Sequence, residues 1–142
     1  MNNRTLAYAL TRIAYGMTFL FYGIGKFRGG LASFVGGMNQ QFSGKLPALM
    51  VMPFAYFIPF AETISGALIV LGLFTRLGLT LSSVLLIGLT FGLVMLGQAQ
   101  IVAHNLQYVL LNFVLLWFVD INSISIDSLI RKRPAVGFTA SI

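Results

Sequence analysis

Residues 56–76, "YFIPFAETISGALIVLGLFTR", hold one carboxylate, Glu62, inside an apolar run that closes on Arg76. A run of this length decides the fold, because a hydrocarbon core of ~30 Å takes ~20 helical residues to cross. Extended backwards it covers about Ala48 to Phe74. Three other stretches match it: "LAYALTRIAYGMTFLFYGI" at 6–24, "LGLTLSSVLLIGLTFGLVMLG" at 77–97 and "IVAHNLQYVLLNFVLLWFV" at 101–119. All are far longer than strands of ~5–6 residues, and none shows a barrel's alternating polarity. The expectation is an all-α membrane protein, a four-transmembrane-helix bundle with a short interfacial helix between spans one and two.

Composition agrees. Hydrophobic residues make up 58% of the 142-residue chain and charged residues 8%, with a mean hydropathy of +0.91. A soluble domain carries about 25% charged residues, so this chain would not cover its surface in water. The net charge of +6 suits membrane topology and lipid headgroups. It lacks the basic stripe with interleaved aromatics of a single-strand binder, so no nucleic-acid partner is expected. There is no cysteine and one histidine, His104. Disulfides, thiol relays and cysteine-ligated clusters are thereby excluded, and no metal site is expected. His104, alone at a span's end, reads as an interfacial residue.

The first apolar run carries Arg12, and "GIGKF" is no small-residue cleavage site, so it reads as a retained span. Basic residues set orientation. Arg4, Arg76, Arg131, Lys132 and Arg133 fall on one side of a four-span arrangement, and Lys26, Arg28 and Lys45 on the other. Five against three favours both termini in the cytoplasm. Residues 1–130 form the bundle in this reading, and 131–142 form a basic, flexible tail. In the loop "KFRGGLASFVGGMNQQFSGKLP" at 26–47, Leu31, Phe34, Val35, Met38 and Phe42 recur at helical spacing opposite Ser33, Asn39 and Gln40. That pattern suits a helix in the headgroup plane, broken or bent at Gly36–Gly37. It reads either as an anchor or as a lid.

Ions inside a membrane cost ~2.5–3.5 kcal/mol on insertion scales and face protein or water. Arg12 would lie ~9 Å deep and Glu62 ~18 Å deep. A direct pair would need neighbouring, tilted helices. Tyr8, Arg12, Tyr15, Phe19, Tyr22 and Lys26 fall four or three residues apart, which puts them on one face directed into the bundle. Asn105, Tyr108 and Asn112 share a face of the last span, flanked by Gln107. Such amides tie helices together or line a site. Gly88 and Gly92 form G-x-x-x-G, and Gly16 and Gly23 lie a heptad apart, both permitting close helix approach. Pro53 and Pro59 free backbone carbonyls and predict a bend or pocket next to Glu62. Glu62 is then either a structural lock or a protonatable group beside a cavity.

The stretches "RIAYGMTFLFYGIGKF" at 12–27, "PFAETISGALIVLGLFTR" at 59–76 and "NSISID" at 122–127 resemble the DoxX-like family of small four-span membrane proteins. The matching positions are Arg12, Lys26, Glu62 and Arg76. Some relatives are subunits of a thiosulfate:quinone oxidoreductase. The resemblance therefore implies a small inner-membrane subunit of, or accessory to, a quinone-linked redox complex. It would be at most a non-autonomous oxidoreductase subunit, partnered by other membrane or redox subunits, with quinone as a dissociable cofactor and none bound covalently. Glu62 and Arg12 are the candidate catalytic pair. Tyr8, Tyr15, Tyr22, Asn105, Tyr108 and Asn112 are candidates for cofactor binding, and Lys26, Arg28 and Lys45 for an anion or partner surface. The alternatives are a purely structural assembly subunit and a small carrier for an anion or hydrophobic molecule.

Overall fold

The structure, a computed structural model, describes residues 2–131. The basic tail expected over 131–142 lies outside the described residues except for Arg131. Six α-helices follow one another: α1 (Asn3–Arg28), α2 (Leu31–Gln41), α3 (Ala48–Leu71), α4 (Thr75–Met95), α5 (Ala99–Trp117) and α6 (Ile126–Arg131), with a 3₁₀ turn at Val119–Ile121 before the last. There is no strand among the described residues.

Three helices, α3, α4 and α5, are long and apolar enough to cross a membrane. At 26 residues, α1 is long enough at ~39 Å. However, Arg12 and the tyrosines and threonines around it dilute its apolarity, so it falls outside that group. The chain is a multi-pass membrane protein whose apolar helices call for a lipid bilayer.

The four long helices alternate in direction. The bundle is closed in the order α1, α3, α4, α5, with α3 diagonal to α5 and the α1–α3 seam the most extensive. Small residues explain that seam. A Cβ on Gly16 would lie 2.8 Å from the backbone nitrogen of Val70, and one on Gly23 would lie 2.7 Å from that of Thr63. On the α3 side, Gly66 abuts the backbone of Leu20. Gly88 and Gly92 work differently from the expectation: they give room to the rings of Phe54 and Phe42 instead of bringing two backbones together.

The connection after α3 is set by Gly72, which takes a left-handed conformation at φ 65° and ends the helix. This stops α3 at Leu71 instead of Phe74, and α4 starts two residues earlier than its apolar run. Contrary to expectation, α2 is continuous through Gly36 and Gly37. Both glycines point away from other residues, and the face carrying Phe34, Val35 and Met38 packs inward, which holds the helix together. Ile58, Ile69, Leu79, Leu85, Leu86 and Leu115 are fully buried between the four long helices.

Candidate functional site

The inward-facing ionic side chains of the four long helices form two separate centres, about two helical turns apart along α3. Toward the end where α1 starts and α5 stops, Arg12 is almost wholly buried. Its Nη1 donates to the carbonyls of Ile69 (2.6 Å) and Val70 (3.2 Å), and its Nη2 to that of Ile124 (3.0 Å). The first two belong to the last turn of α3, which carries the negative end of the helix dipole; the Ile69 carbonyl also accepts the capping N–H of Gly72 at 3.2 Å. The guanidinium fork supplies donors in two directions and so joins α1 to α3 and to the segment before α6.

That segment docks on the α3–α4 turn. The N–H of Asp127 donates to the Gly72 carbonyl (2.9 Å). Its carboxylate accepts from the N–H of Phe74 (2.7 Å) and from both the N–H and the hydroxyl of Thr75 (2.8 Å each). Asn122 Nδ2 donates to Thr75 Oγ1 at 2.9 Å. Asp127 thus caps the N-terminus of α4, where orphan N–H groups favour an anion. Burial alone would raise its pKa. The hydrogen bonds from Thr75 and Phe74 and the charge of Arg12 outweigh burial and hold the carboxyl below its ordinary value.

Glu62 takes no part in this. Its Oε2 accepts from Lys26 Nζ at 2.7 Å, with Glu62 buried and Lys26 mostly so. The Lys26 ammonium also lies 5.7 Å from the ring centre of Tyr22 and 5.4 Å from that of Phe34. The expected polar centre of Arg12 with Glu62 is therefore corrected. The arginine is one lock, occupied by carbonyls about two helical turns along α3, and the carboxylate belongs to a different pair. Lys26, read from the sequence as part of an anion or partner surface, is engaged by Glu62. Arg28 remains exposed, and Lys45 Nζ reaches the carbonyl of Leu96 at 3.4 Å.

The Glu62–Lys26 pair borders a cavity of about 600 Å³, within the range of small-molecule sites. It occupies the half of the bundle away from the termini, between α1, α3, α4 and α5, with α2 and Leu46 across its end. Its wall is mainly apolar and aromatic: Phe19, Phe34, Phe42, Phe54, Ile58 and Leu89. The expected pocket beside Glu62 is present, and α2 contributes Phe34, Met38 and Gln41 to its wall.

The remaining candidates divide. Asn105 and Tyr108 line the cavity, and so does Tyr22, although it is exposed (61%) instead of directed into the bundle. Tyr8, Tyr15 and Asn112 are bolts between helices. The Tyr8 hydroxyl donates to the Leu115 carbonyl (2.9 Å) and that of Tyr15 to Ser82 Oγ (3.3 Å). Asn112 Nδ2 donates to the Leu79 carbonyl (3.1 Å) and to Ser83 Oγ. His104 is exposed on α5. No group of three His, Asp or Glu side chains able to hold a metal occurs among the described residues.

Thr75, Asp127, Asn122 and Thr90 are the polar partners that sequence spacing missed. Asp127 caps a helix whose start lies 52 residues away, so no local pattern marks it. The one available signal was the "NSISID" stretch itself.

A family model described as DoxX matches residues 7–103. No curated protein and no solved structure gives a significant match.

Proposed function

The chain belongs to the DoxX family, and we propose that it is a small inner-membrane subunit of a quinone-linked redox complex whose cavity receives the quinone ring. One observation carries this reading: an apolar, aromatic-walled cavity of about 600 Å³ is bordered by a buried carboxylate–ammonium pair. A quinone needs an apolar seat for its ring and tail, a donor to a carbonyl oxygen, and a route for protons. Phe19, Phe34, Phe42 and Phe54 supply the seat, Lys26 the donor and Glu62 a proton acceptor within the same hydrogen-bonded pair.

Reduction of the quinone takes two electrons and two protons. The electrons come from a carrier on a partner subunit, since a chain without cysteine cannot ligate an iron–sulfur cluster in the usual way. In this arrangement α1 is the fourth span, shielded on its polar side by α3. Both termini are cytoplasmic in a bacterial inner membrane, on the side favoured by Arg4, Arg76 and Arg131. The cavity then opens toward the outer leaflet.

The test is equilibrium binding of a short-tailed quinone to the purified chain in mild detergent. Saturable binding that Glu62→Gln and Lys26→Met weaken at least tenfold while both variants remain folded is the expected result. Wild-type protein that binds no quinone would overturn the proposal. In that case, a stable complex indifferent to Glu62→Gln would mark a structural subunit, and flux in liposomes holding only this chain would mark a carrier.

A further inference from the structure

The Asn105 amide is held in one orientation. Its Nδ2 donates to the Leu86 carbonyl at 3.2 Å and to Thr90 Oγ1 at 2.5 Å. The Leu86 carbonyl can only accept. The Thr90 hydroxyl has already given its proton to that same carbonyl, at 2.7 Å, so it too can only accept from Asn105. The amide cannot be reversed without setting acceptor against acceptor. Asn105 Oδ1 is therefore committed as an acceptor. Although the residue is 92% buried, this oxygen takes no hydrogen bond from the described residues and is not sealed from solvent. Its residue lines the cavity.

Glu62 presents the same situation from the diagonally opposite helix. Lys26 occupies Oε2. Oε1 takes no hydrogen bond from the described residues and also retains access, on a residue that borders the same cavity. Two acceptor oxygens without a partner among the described residues thus belong to residues that line one mainly apolar cavity, one on α3 and one on α5.

We infer that the cavity selects the hydroxyl-bearing, reduced form of its ring ligand, a dihydroxyaromatic lipophile, over the corresponding carbonyl form, and that Asn105 is a specificity-determining residue. The inference rests on the quinone-site reading above and assigns its preferred redox form. A quinol donates through both hydroxyls and can satisfy acceptors on both helices. A quinone only accepts. It can take a proton donor from Lys26, but at Asn105 it sets a carbonyl oxygen against a carbonyl oxygen and displaces solvent from that acceptor without replacing its hydrogen bond. The tyrosine hydroxyls of the wall donate or accept with equal ease and do not discriminate. Tighter binding of the reduced form stabilises it relative to the oxidised form, so electrons delivered to the site are drawn onto the bound ring.

The experiment compares three ligands of one ring and tail under anaerobic conditions, by calorimetry on the full chain in detergent: the quinone, its quinol, and the quinol's dimethyl ether, which keeps the shape and loses both donors. The expected order is quinol at least about tenfold tighter than either of the others, which corresponds to a rise of about 30 mV in the two-electron potential of the bound couple. Asn105→Leu should bring the quinol and quinone affinities to within about twofold. Equal binding of quinol and quinone by the wild type would overturn this inference and leave the quinone site standing. Binding of none of the three would overturn both. A folded Asn105→Leu variant that kept the preference would remove Asn105 from the assignment. Should that variant fail to fold, the ether decides: an ether as tight as the quinol would show that hydroxyl donation is not being read.

Discussion

Asp127 and Thr75, 52 residues apart in the chain, are joined twice: the N–H and the hydroxyl of Thr75 both donate to Asp127 Oδ2 at 2.8 Å. The segment after the last long helix is thereby fastened to the turn between α3 and α4, which directly follows the last turn of α3 whose carbonyls Arg12 holds from α1. One end of the bundle is tied from three directions, while the other encloses the cavity.

The Asp127 attachment should be acid-sensitive. The folded carboxyl titrates below its ordinary value of 3.8, so its stabilising contribution is fully present above that value. It is lost as the pH falls through the lowered folded value. Thermal unfolding in detergent, followed by circular dichroism between about pH 6 and pH 2, should show a drop in the melting temperature at the acid end. Asp127→Asn should lower the melting temperature at neutral pH and shrink the acid-dependent part.

Replacing Arg12 by Met should destabilise the fold by about 3 kcal/mol, because three carbonyls lose charged donors in a buried setting. Arg12→Lys should recover only part of this, since a single ammonium cannot reproduce the fork that serves Ile69 and Ile124 together. A fall in melting temperature without loss of ligand affinity in the remaining folded protein would match a purely structural arginine. Ligand affinity that vanished in folded Arg12→Lys would contradict it.

Lys26 and Glu62 should be energetically coupled. Lys26→Met leaves a buried carboxylate without its partner, and Glu62→Gln weakens the attraction from the other side. In a double-mutant cycle the combined loss should be smaller than the sum of the single losses by about 1–3 kcal/mol. Strict additivity in unfolding measurements would mean that the pair does not stabilise the fold.

Gly66→Ala should cost about 1–3 kcal/mol by forcing α1 and α3 apart at Leu20. Gly25→Ala, on the same α1 but with nothing near its Cβ position, should be neutral or slightly stabilising, since alanine favours the helix. The two variants together separate overpacking from helix propensity, read as shifts in melting temperature.

Apolar length carried most of the fold, because the bilayer leaves a chain so few choices. The long helices and the amphipathic α2 follow from spacing alone. Helix ends moved by a few residues where Gly72 turned left-handed. The intramembrane ions were legible as inward-facing, but their partners were not. Depth arithmetic set Arg12 and Glu62 ~9 Å apart along the membrane normal and made a direct pair conditional on helix tilt, and a guanidinium can be satisfied by backbone carbonyls that no residue pattern advertises. This left the carboxylate to Lys26, which the sequence places at a helix end and assigns to a surface. The cavity at Glu62 was foreshadowed by Pro53 and Pro59. The role of Gly88 as a recess for the ring of Phe54 could not be read, because G-x-x-x-G looks the same whether it admits a backbone or an aromatic ring.

The bonds made by Arg12 also set an order on biogenesis. Its acceptors lie 57, 58 and 112 residues downstream, so when the first helix leaves the ribosome none of them has been synthesised. That helix is also the least lipid-compatible of the four long ones. As the fourth span proposed above, it would wait at the translocon or the headgroup layer with its guanidinium hydrated, and would settle into the bilayer only when α3 arrives to shield it. Insertion of this chain is then a paired event, completed when Ile124 emerges, and a truncation before that residue should leave the first helix poorly integrated.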